Sequence, residues 1–478
     1  MSRLRRKPSE LATASPIRQE LPPGTLAHKP CSAPKKSLRL TLWPLAIATF
    51  FMVSGGTYGI EDTVQGAGYG RAILIFLLTP ILWSLPTTLM IGELASALPE
   101  EGGYYAWVRR AMGNFWGFQE AWLSLAASIF DMAIYPTLFV AYLTRLLPWF
   151  GLNHRGVMVA VAVVGLCAAL NIAGVRAVST TSLWLFFLLS TPFGLVAVLG
   201  LLKHGALIHV VAKPMAARVD IIGGLLVCMW NYMGWDNAST IATEVDRPQR
   251  TYPRAMIVAI ALVCLSYIVP VGAMWTTGLT PTAWETGSWA DIARLVGGPL
   301  LAAGVVVASM MSAFGMFNAL VMSYSRLPLA MAQDGMLPKC FARLNRRRAP
   351  WVAIIALAIG WALCLGLGFE RLVTIDILIY GLSLALEFLA LVALRIREPE
   401  LARPFRVPGG LFGAICVGIA PMLLLGFDLV RSESEQVWGI SSFAFAALVI
   451  SIGVLAYVLK QAFKPAGWAI EERPQPVA

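Results

Sequence analysis

Long apolar stretches fill this chain, and short polar segments separate them. Charge-free runs recur at 72–92, 156–175, 177–202, 255–284, 295–325, 349–369, 407–427 and 436–459. Each run is close to or above the ~20 residues with which an α-helix crosses a bilayer. Four further apolar stretches carry a few polar or acidic residues, at 41–62, 118–146, 219–241 and 372–394. The pattern predicts an all-α, polytopic membrane protein with 12 transmembrane helices, numbered here as spans 1 to 12.

Two of the predicted spans are interrupted by residues that disfavour a helix. Span 1 is interrupted by small residues, at Ser54, Gly55 and Gly56. Span 6 is interrupted by polar residues and a glycine, at Asn231, Gly234, Asp236 and Asn237. A broken helix leaves backbone groups unpaired at membrane depth, which is tolerated only inside protein or beside a watery cavity. Corresponding breaks in two halves of a chain point to a transporter's binding site. For span 1 alone, a helix that simply ends at a glycine turn is the alternative.

The offset of five spans between the two breaks predicts an inverted repeat, because an odd offset reverses the membrane orientation of the second copy. We therefore predict a transport core at 41–396, with a first repeat at 41–202 and a second repeat at 219–396. Two accessory transmembrane helices follow at 407–461. The polar, basic residues 1–40 are predicted to be a disordered cytoplasmic tail, and residues 462–478 a second cytoplasmic tail.

The net charge of +11 raises the question of nucleic-acid binding, but its distribution indicates membrane topology instead. Most of the 37 lysines and arginines fall in segments that a cytoplasmic N-terminus places on the cytoplasmic side, as the positive-inside rule requires. We expect a multi-pass protein of a plasma or inner membrane with both termini in the cytoplasm. Its expected surroundings are the lipid bilayer, with no nucleic-acid partner.

Soluble-enzyme chemistry finds little support in the sequence. The 7 cysteines show no paired spacing, and the 4 histidines have no company with metal-ligand spacing. No phosphate-binding loop or nucleophile motif is present. We expect no enzyme activity, no cofactor and no metal site.

Acidic residues, unlike basic ones, lie in or at the ends of the spans. They are Glu61, Glu93, Asp131, Asp236, Asp376 and Glu387. Because no lysine or arginine occupies a span interior, we expect these acids to lack a basic partner. A buried carboxylate without a counter-charge takes up a proton or pairs with a bound cation.

The position of each acid suggests its role. Glu61 and Asp236 lie at helix breaks and Asp131 lies in mid-span, so all three are predicted to bind substrate and are candidates for proton coupling. Glu93 and Glu387 lie close to the cytoplasmic side and are interpreted as structural acids. Asp376 fits either role.

Aromatic residues cluster around these acids. Tyr135 lies four residues after Asp131 and hence on the same helical face. Other aromatic residues lie beside the two breaks, at Tyr58, Trp230, Tyr232 and Trp235. Aromatic faces attract cations, and we predict that this group walls a cationic ligand, although such residues singly are more often packing residues.

Seven motifs, spread in order over most of the chain, carry a family resemblance. They are SGGTYGIED at 54–62, ELA at 93–95 with PEEGGYYAW at 99–107, FWGFQ at 115–119, IFDMAIYP at 129–136, WNYMGWDNAST at 230–240, QDGMLP at 333–338 and RPFRVP at 403–408. The chain resembles the amino acid–polyamine–organocation (APC) superfamily, and within it the polyamine uptake transporters of the L-type amino acid transporter group. The resemblance implies a 5+5 inverted-repeat, LeuT-like fold with broken helices 1 and 6 around the substrate.

The resemblance also bears on the substrate and the coupling ion. In relatives that carry amino acids, the span 1 break offers backbone N–H groups to the substrate carboxylate, and Ser54, Gly55 and Gly56 occupy that position. Those relatives usually lack an acid soon after the break, so Glu61 and Asp236 favour an amine without a carboxylate. Some proton-coupled relatives carry a lysine in span 5, and this chain has none there. We favour protons as the coupling ion because the acidic side chains can titrate. Hydroxyl groups in span 8 leave sodium as an alternative coupling ion.

We therefore expect a secondary active transporter that imports polyamines or related organic cations by alternating access with protons. One alternative is an amino acid permease of the same fold, for neutral or cationic amino acids. Another is a transporter-like sensor or subunit with little flux of its own.

Overall fold

The computed structural model describes residues 41–100, 102–174, 181–205, 207, 220–431, 436–437 and 439–463. The predicted tail at 1–40 and nearly all of the predicted tail at 462–478 lie outside the described residues. Between its loops and turns the described chain is mainly helical, with one antiparallel pair of two-residue strands, β1 (Gln436–Val437) and β2 (Ile440–Ser441).

The α-helices of the described chain follow the predicted spans. In order they are α1 (Leu42–Val53), α2 (Glu61–Ala67), α3 (Tyr69–Thr79), α4 (Leu85–Ala97), α5 (Tyr104–Met112), α6 (Asn114–Leu146), α7 (Arg155–Ile172), α8 (Thr181–Leu202), α9 (Ile221–Trp230), α10 (Pro248–Thr276), α11 (Trp289–Gln333), α12 (Trp351–Leu363), α13 (Phe369–Arg397), α14 (Gly410–Arg431) and α15 (Ser442–Phe463). A π-helical turn at Pro80–Ser84 joins α3 to α4, and short 3₁₀ helices lie at Pro148–Gly151, Pro281–Ala283 and Lys339–Ala342.

Eight helices in the described ranges are long and apolar enough to cross a membrane, and shorter helices occupy the remaining predicted spans 1, 5, 6 and 9. The prediction of a 12-helix membrane protein is thereby confirmed. Successive spans run in opposite directions. We call the side on which α1 begins the near face and the opposite side the far face.

The break in span 1 separates α1 from α2 and depends on glycine. Gly55 has φ +60°, a conformation that favours glycine. A Cβ atom there would lie 2.1 Å from Tyr58 Oη and 2.2 Å from Met316 Sδ. The backbone angle therefore favours glycine at this position, and a larger residue would also have to displace the ends of the Tyr58 and Met316 side chains.

Span 6 is broken as predicted, between α9 and a 3₁₀ helix at Trp235–Glu244. The Asn231 side chain crosses to the first break, since its Nδ2 donates to Gly59 O at 2.8 Å. The Tyr267 hydroxyl of α10 lies 2.6 Å from Ser54 Oγ and 2.9 Å from Asn231 O. One phenol hydroxyl therefore bridges the two breaks and couples their positions.

Three long helices form the frame behind these breaks, because α6 packs along both α11 and α13. The accessory helices pack outside the frame, α14 against α13 and α15 against α6. Many large apolar side chains on the outer surface are exposed; Leu300, for example, is 86% exposed and Phe412 is 75% exposed. In a membrane protein such surfaces contact lipid.

Candidate functional site

A small closed cavity lies where the broken spans meet the long helices. Its volume is about 20 Å³, which is room for about one water molecule. Its acids come from α6 and α13 and its aromatic rings from α6, the end of α9, α11 and α13, with α1 and the span 6 break completing the lining. The lining residues are Met52, Val53, Asp131, Tyr135, Trp230, Met233, Gly234, Asn237, Tyr324, Asp376 and Tyr380. We call this space the acid cavity.

Asp131 is held in place by three donors from three spans. Its Oδ1 accepts from Tyr135 Oη at 3.1 Å and from Trp230 Nε1 at 3.3 Å, and its Oδ2 accepts from Tyr324 Oη at 3.1 Å. Tyr135 is its helical neighbour one turn along, whereas Trp230 ends α9 and Tyr324 belongs to α11. Because the donors come from three different spans, the carboxylate is held at the cavity wall before any ligand arrives.

Two further carboxylates lie beside Asp131. Asp236, just past the span 6 break, accepts from Tyr380 Oη at 2.8 Å. Asp376 lines the cavity itself and is 2% exposed, with no hydrogen-bond donor among the described residues. Asp131 and Asp236 are both electrostatic neighbours of Asp376. The lining contains no lysine, arginine or histidine, so the site carries acidic groups without a basic partner.

Tyr232 and Trp235, two of the aromatic residues predicted to wall the ligand, contact backbone atoms instead. The Tyr232 hydroxyl donates to Phe76 O at 3.0 Å, and the Trp235 indole donates to Tyr232 O at 2.7 Å. Both rings are fully buried and neither lines the acid cavity. Their contacts hold the span 6 break against α3.

Glu61 lies toward the far face, away from the acid cavity. Its Oε1 accepts from the Tyr142 hydroxyl and from Gly287 N, the latter at 3.2 Å. Its Oε2 has no partner among the described residues. The neighbouring Asp62 accepts from Thr286 Oγ1 at 2.7 Å. This pair of acids therefore joins α2 to the far-face loop before α11.

The span 1 break lines a second, larger space. Gly55, Gly56 and Tyr58 border a cavity of about 250 Å³, whose other walls are mostly apolar side chains of α1, α8 and α10. The Tyr58 hydroxyl contacts Ser312 Oγ, and Ser312 donates to Gly55 O at 2.5 Å. We call this space the apolar cavity. Ser54 faces Tyr267 rather than either cavity.

The structure thus places Asp131, Tyr135 and Trp230 around one cavity, with Asp236 behind Tyr380, and places the other predicted site residues outside its lining. Sequence reasoning left out Tyr324 and Tyr380 and gave Asp376 no fixed role. One signal was present: Asp376 and Tyr380 have the same four-residue spacing as Asp131 and Tyr135. Tyr324 had no such signal, because its partner lies on another helix.

The expectation that every acid lacks a basic partner is wrong for Glu93. Its carboxylate pairs with Arg395 at 2.5 Å and with Arg403 at 3.3 Å, and its Oε2 also accepts from Val407 N at 2.7 Å. Arg395 lies in the last turn of α13 and is buried, and Arg403 and Val407 belong to the near-face loop that leads into α14. Glu93 therefore links span 2 to the end of span 10 and to this loop, in keeping with its interpretation as a structural acid.

Ion pairs join neighbouring elements at both faces of the protein. On the near face, Arg109 of α5 pairs with Asp334, and Arg110 pairs with Glu398 at 2.8 Å. On the far face, Arg145 pairs with Asp291 at 2.8 Å. Within the described ranges no group of three or more His, Cys, Asp or Glu has the arrangement of a metal site.

Comparison with known proteins identifies relatives over nearly the whole chain. The family model for amino acid permeases matches residues 46–455. The polyamine transporter RMV1 of Arabidopsis thaliana is 34% identical over 452 residues, which cover 93% of this chain and 91% of the relative. The polyamine transporter PUT1 of Oryza sativa subsp. japonica is 35% identical over 430 residues, covering 88% and 77%.

A solved structure shows the same fold. The crystal structure of MhsT in complex with L-phenylalanine superimposes with a TM-score of 0.54 and 14% identity, covering 88% of this chain and all of that one. At this identity the likeness concerns the fold alone. It agrees with the LeuT-like arrangement expected from the two broken spans.

Proposed function

The chain belongs to the amino acid permease family of the APC superfamily, and on this premise we propose that it imports polyamines or related organic cations. It does so as a secondary active transporter, by alternating access and together with protons. The observation that carries the proposal is the acid cavity: Asp131 and Asp376 line it without a basic residue, and Asp236 lies behind Tyr380 as an electrostatic neighbour of Asp376.

Electrostatics favour an amine over an amino acid at this site. Carboxylates taken out of water are unstable unless a cation or a proton compensates them. A polyamine brings several ammonium groups, each a donor of charge-assisted hydrogen bonds. The carboxylate of an amino acid would instead meet Asp131 and Asp376 at close range and be repelled. The relatives named as polyamine transporters support the same choice.

The acid cavity also supplies the groups for proton coupling. When no cation is bound, the clustered carboxyls compensate their charge by taking up protons. The ammonium groups then bind the carboxylates of Asp131 and Asp376, and a proton enters with the substrate on a neighbouring carboxyl. Glu61 is a further candidate toward the far face, where its Oε2 has no partner among the described residues. Sodium stays the alternative coupling ion, because the oxygen of a donating hydroxyl such as Ser312 Oγ can still bind a cation.

Alternating access requires both faces to open in turn, since a cavity of about 20 Å³ admits no polyamine. We propose that the near face is cytoplasmic, as the distribution of basic residues indicates. The Arg109–Asp334 pair then closes the cytoplasmic side, and the Arg145–Asp291 pair closes the outer side. The breaks, bridged by Tyr267, act as the hinges between these states.

Uptake into proteoliposomes tests the proposal. Labelled putrescine and spermidine are supplied beside labelled leucine and arginine, with and without an inward proton gradient. Gradient-driven accumulation of polyamine but not of leucine is expected. Accumulation of an amino acid alone would overturn the choice of substrate, and binding without any accumulation would favour a sensor.

An Asp131→Asn variant tests the site in the same assay. The asparagine keeps the shape of the side chain and removes its charge, so polyamine uptake should be abolished. Glu400→Gln is the matched control, because Glu400 is exposed on the near-face loop and its loss should leave uptake unchanged. Wild-type rate and apparent affinity in Asp131→Asn would count against the acid cavity as the binding site.

The alternative within the family is an amino acid permease, which the family model's own description favours. The substrate carboxylate would then bind backbone N–H groups at the span 1 break, and Gly55 and Gly56 would line its site from the apolar cavity. Leucine or arginine uptake that survives Asp131→Asn would support this alternative.

A further inference from the structure

A second acidic cluster lies between α6 and α13, nearer the near face than the acid cavity. Ser124 Oγ lies 2.7 Å from Glu120 Oε1 and 2.7 Å from Ser383 Oγ, and Ser383 Oγ lies 3.0 Å from the same Glu120 oxygen. Glu387 follows Ser383 by one helical turn and is an electrostatic neighbour of Glu120. Both glutamates have an exposed fraction of 0%.

Three of the four carboxyl oxygens in this cluster are without a hydrogen bond from the described residues. Glu120 Oε2 and both carboxyl oxygens of Glu387 have no partner among the described residues. Buried polar atoms in native proteins are nearly always paired, and an unpaired carboxylate is the most costly kind. The two serine hydroxyls satisfy only Glu120 Oε1. Something else must compensate the remaining oxygens.

No basic side chain among the described residues makes a hydrogen bond to these oxygens. Arg395, two turns further along α13, is bound to Glu93 of α4. Lys460 of α15 lies 3.1 Å from Met336 Sδ. The other titratable neighbours are acids and phenols, namely Asp236, Tyr380 and Tyr104 of α5. The electrostatic neighbours of the two glutamates among the described residues are thus acids and phenols.

The spacing aligns this cluster with the acid cavity. Glu120 precedes Asp131 by eleven residues on α6, and Glu387 follows Asp376 by eleven residues on α13. Because the two helices run in opposite directions, both glutamates lie about 16 Å from their aspartates, on the near-face side. Asp236 is an electrostatic neighbour of both glutamates and of Asp376, so it stands between the two groups.

We propose that Glu120 and Glu387 form a proton-binding pair that carries the coupling proton from the acid cavity to the near face. Two buried carboxyls at close range do not both ionise, and a proton is the smallest cation that satisfies their open oxygens. In the release step the carboxyl O–H bond breaks, its electron pair stays on the carboxylate, and the proton passes to water at the near face. The pair then takes up another proton that arrives from the acid cavity by way of Asp236.

The proposal rests on proton-coupled transport and assigns the proton to residues outside the substrate cavity. It therefore predicts that substitutions in the glutamate pair impair proton coupling without impairing substrate binding. Substituting either glutamate with glutamine keeps the size of the side chain but removes its exchangeable carboxyl proton. Substrate binding, which uses Asp131 and Asp376, should persist.

The test compares two modes of transport in proteoliposomes for Glu120→Gln, Glu387→Gln and the exposed control Glu400→Gln. One mode is spermidine accumulation driven by an inward proton gradient, and the other is spermidine counterflow at equal pH on both sides. We expect accumulation in either buried variant to fall at least tenfold while counterflow stays within twofold of wild type. Unchanged accumulation, or a parallel loss of both modes, would overturn the proposal.

A second readout is independent of substrate. Infrared difference spectra of the purified protein, recorded between acidic and alkaline pH, should contain a protonated-carboxyl band that Glu387→Gln abolishes and Glu400→Gln retains. An identical band in Glu387→Gln would overturn the pair. If wild type moves no polyamine, the proposed function fails, and this spectrum still decides on the pair. If the glutamine variants do not fold, Ser383→Ala should shift the pH profile of gradient-driven uptake, and an unchanged profile would refute the role.

Discussion

Removing the charge of Asp376 should weaken polyamine binding in proportion to the charge of the polyamine. Asp376 lines the acid cavity and has no hydrogen-bond donor among the described residues, so Asp376→Asn breaks no internal bond. Its effect is therefore electrostatic and not a consequence of lost packing. The substitution separates the binding role of the carboxylate from a role in holding the fold.

The magnitude follows from Coulomb's law. A carboxylate and an ammonium group about 4 Å apart attract by about 4 kcal/mol at an effective dielectric constant of about 20. Each 1.4 kcal/mol is a factor of about ten in affinity, so about 1,000-fold is the upper limit. Because Asp131 and Asp236 still attract the ligand and water partly replaces the lost carboxylate, we expect a loss of between about 10- and 100-fold for spermidine.

The assay is competition for labelled spermidine on purified protein by spermidine, putrescine and butylamine. Affinity should fall most for the trivalent spermidine, less for putrescine and least for the monoamine. Glu370→Gln is the matched control, since Glu370 is an exposed acid at the start of the same helix. An equal loss for all three amines, or none for any, would refute the role of Asp376 as a charge contact.

Three other substitutions test separate parts of the structure. Tyr267→Phe removes the hydroxyl that bridges the two breaks. Leaving its buried hydrogen-bond partners unpaired costs about 1 to 3 kcal/mol of free energy. Uptake should therefore slow while the protein still binds spermidine. Glu93→Gln leaves Arg395 buried without its counter-charge and should destabilise the protein by about 3 to 5 kcal/mol, measured as a lower midpoint of thermal unfolding. The pKa of Glu398 is lowered by its hydrogen bond from Arg110, so this half-exposed ion pair is lost only as pH falls below the ordinary range of a glutamate. Glu398→Gln should therefore leave the shape of the pH profile of uptake unchanged between about pH 5.5 and 8. A shifted profile would contradict this.

The spans and their breaks could be predicted because local composition determines them. A run of about 20 apolar residues has few structural choices in a bilayer, and adjacent glycines such as Gly55 and Gly56 act on their own segment. Asp131 and Tyr135 could likewise be paired from their spacing on one helix. In each case the decisive interaction lies within a few residues of chain.

The remaining features depend on contacts between distant segments. Arg395 meets Glu93 across about 300 residues of sequence, and no local pattern links them. Tyr232 and Trp235 lie in the irregular part of span 6, where no helical period fixes the direction of a side chain, so their proximity to Asp236 in sequence was a poor guide. Glu120 was not recognised because it lies close to the predicted start of span 3.

A structure of the protein with spermidine bound, determined by electron cryomicroscopy in lipid nanodiscs, tests the acid cavity most directly. We predict density for the polyamine between α6 and α13, with ammonium nitrogens about 2.7–3.2 Å from the carboxylates of Asp131 and Asp376. A polyamine seated in the apolar cavity, against Gly55 and Gly56 and away from these acids, would contradict the central claim.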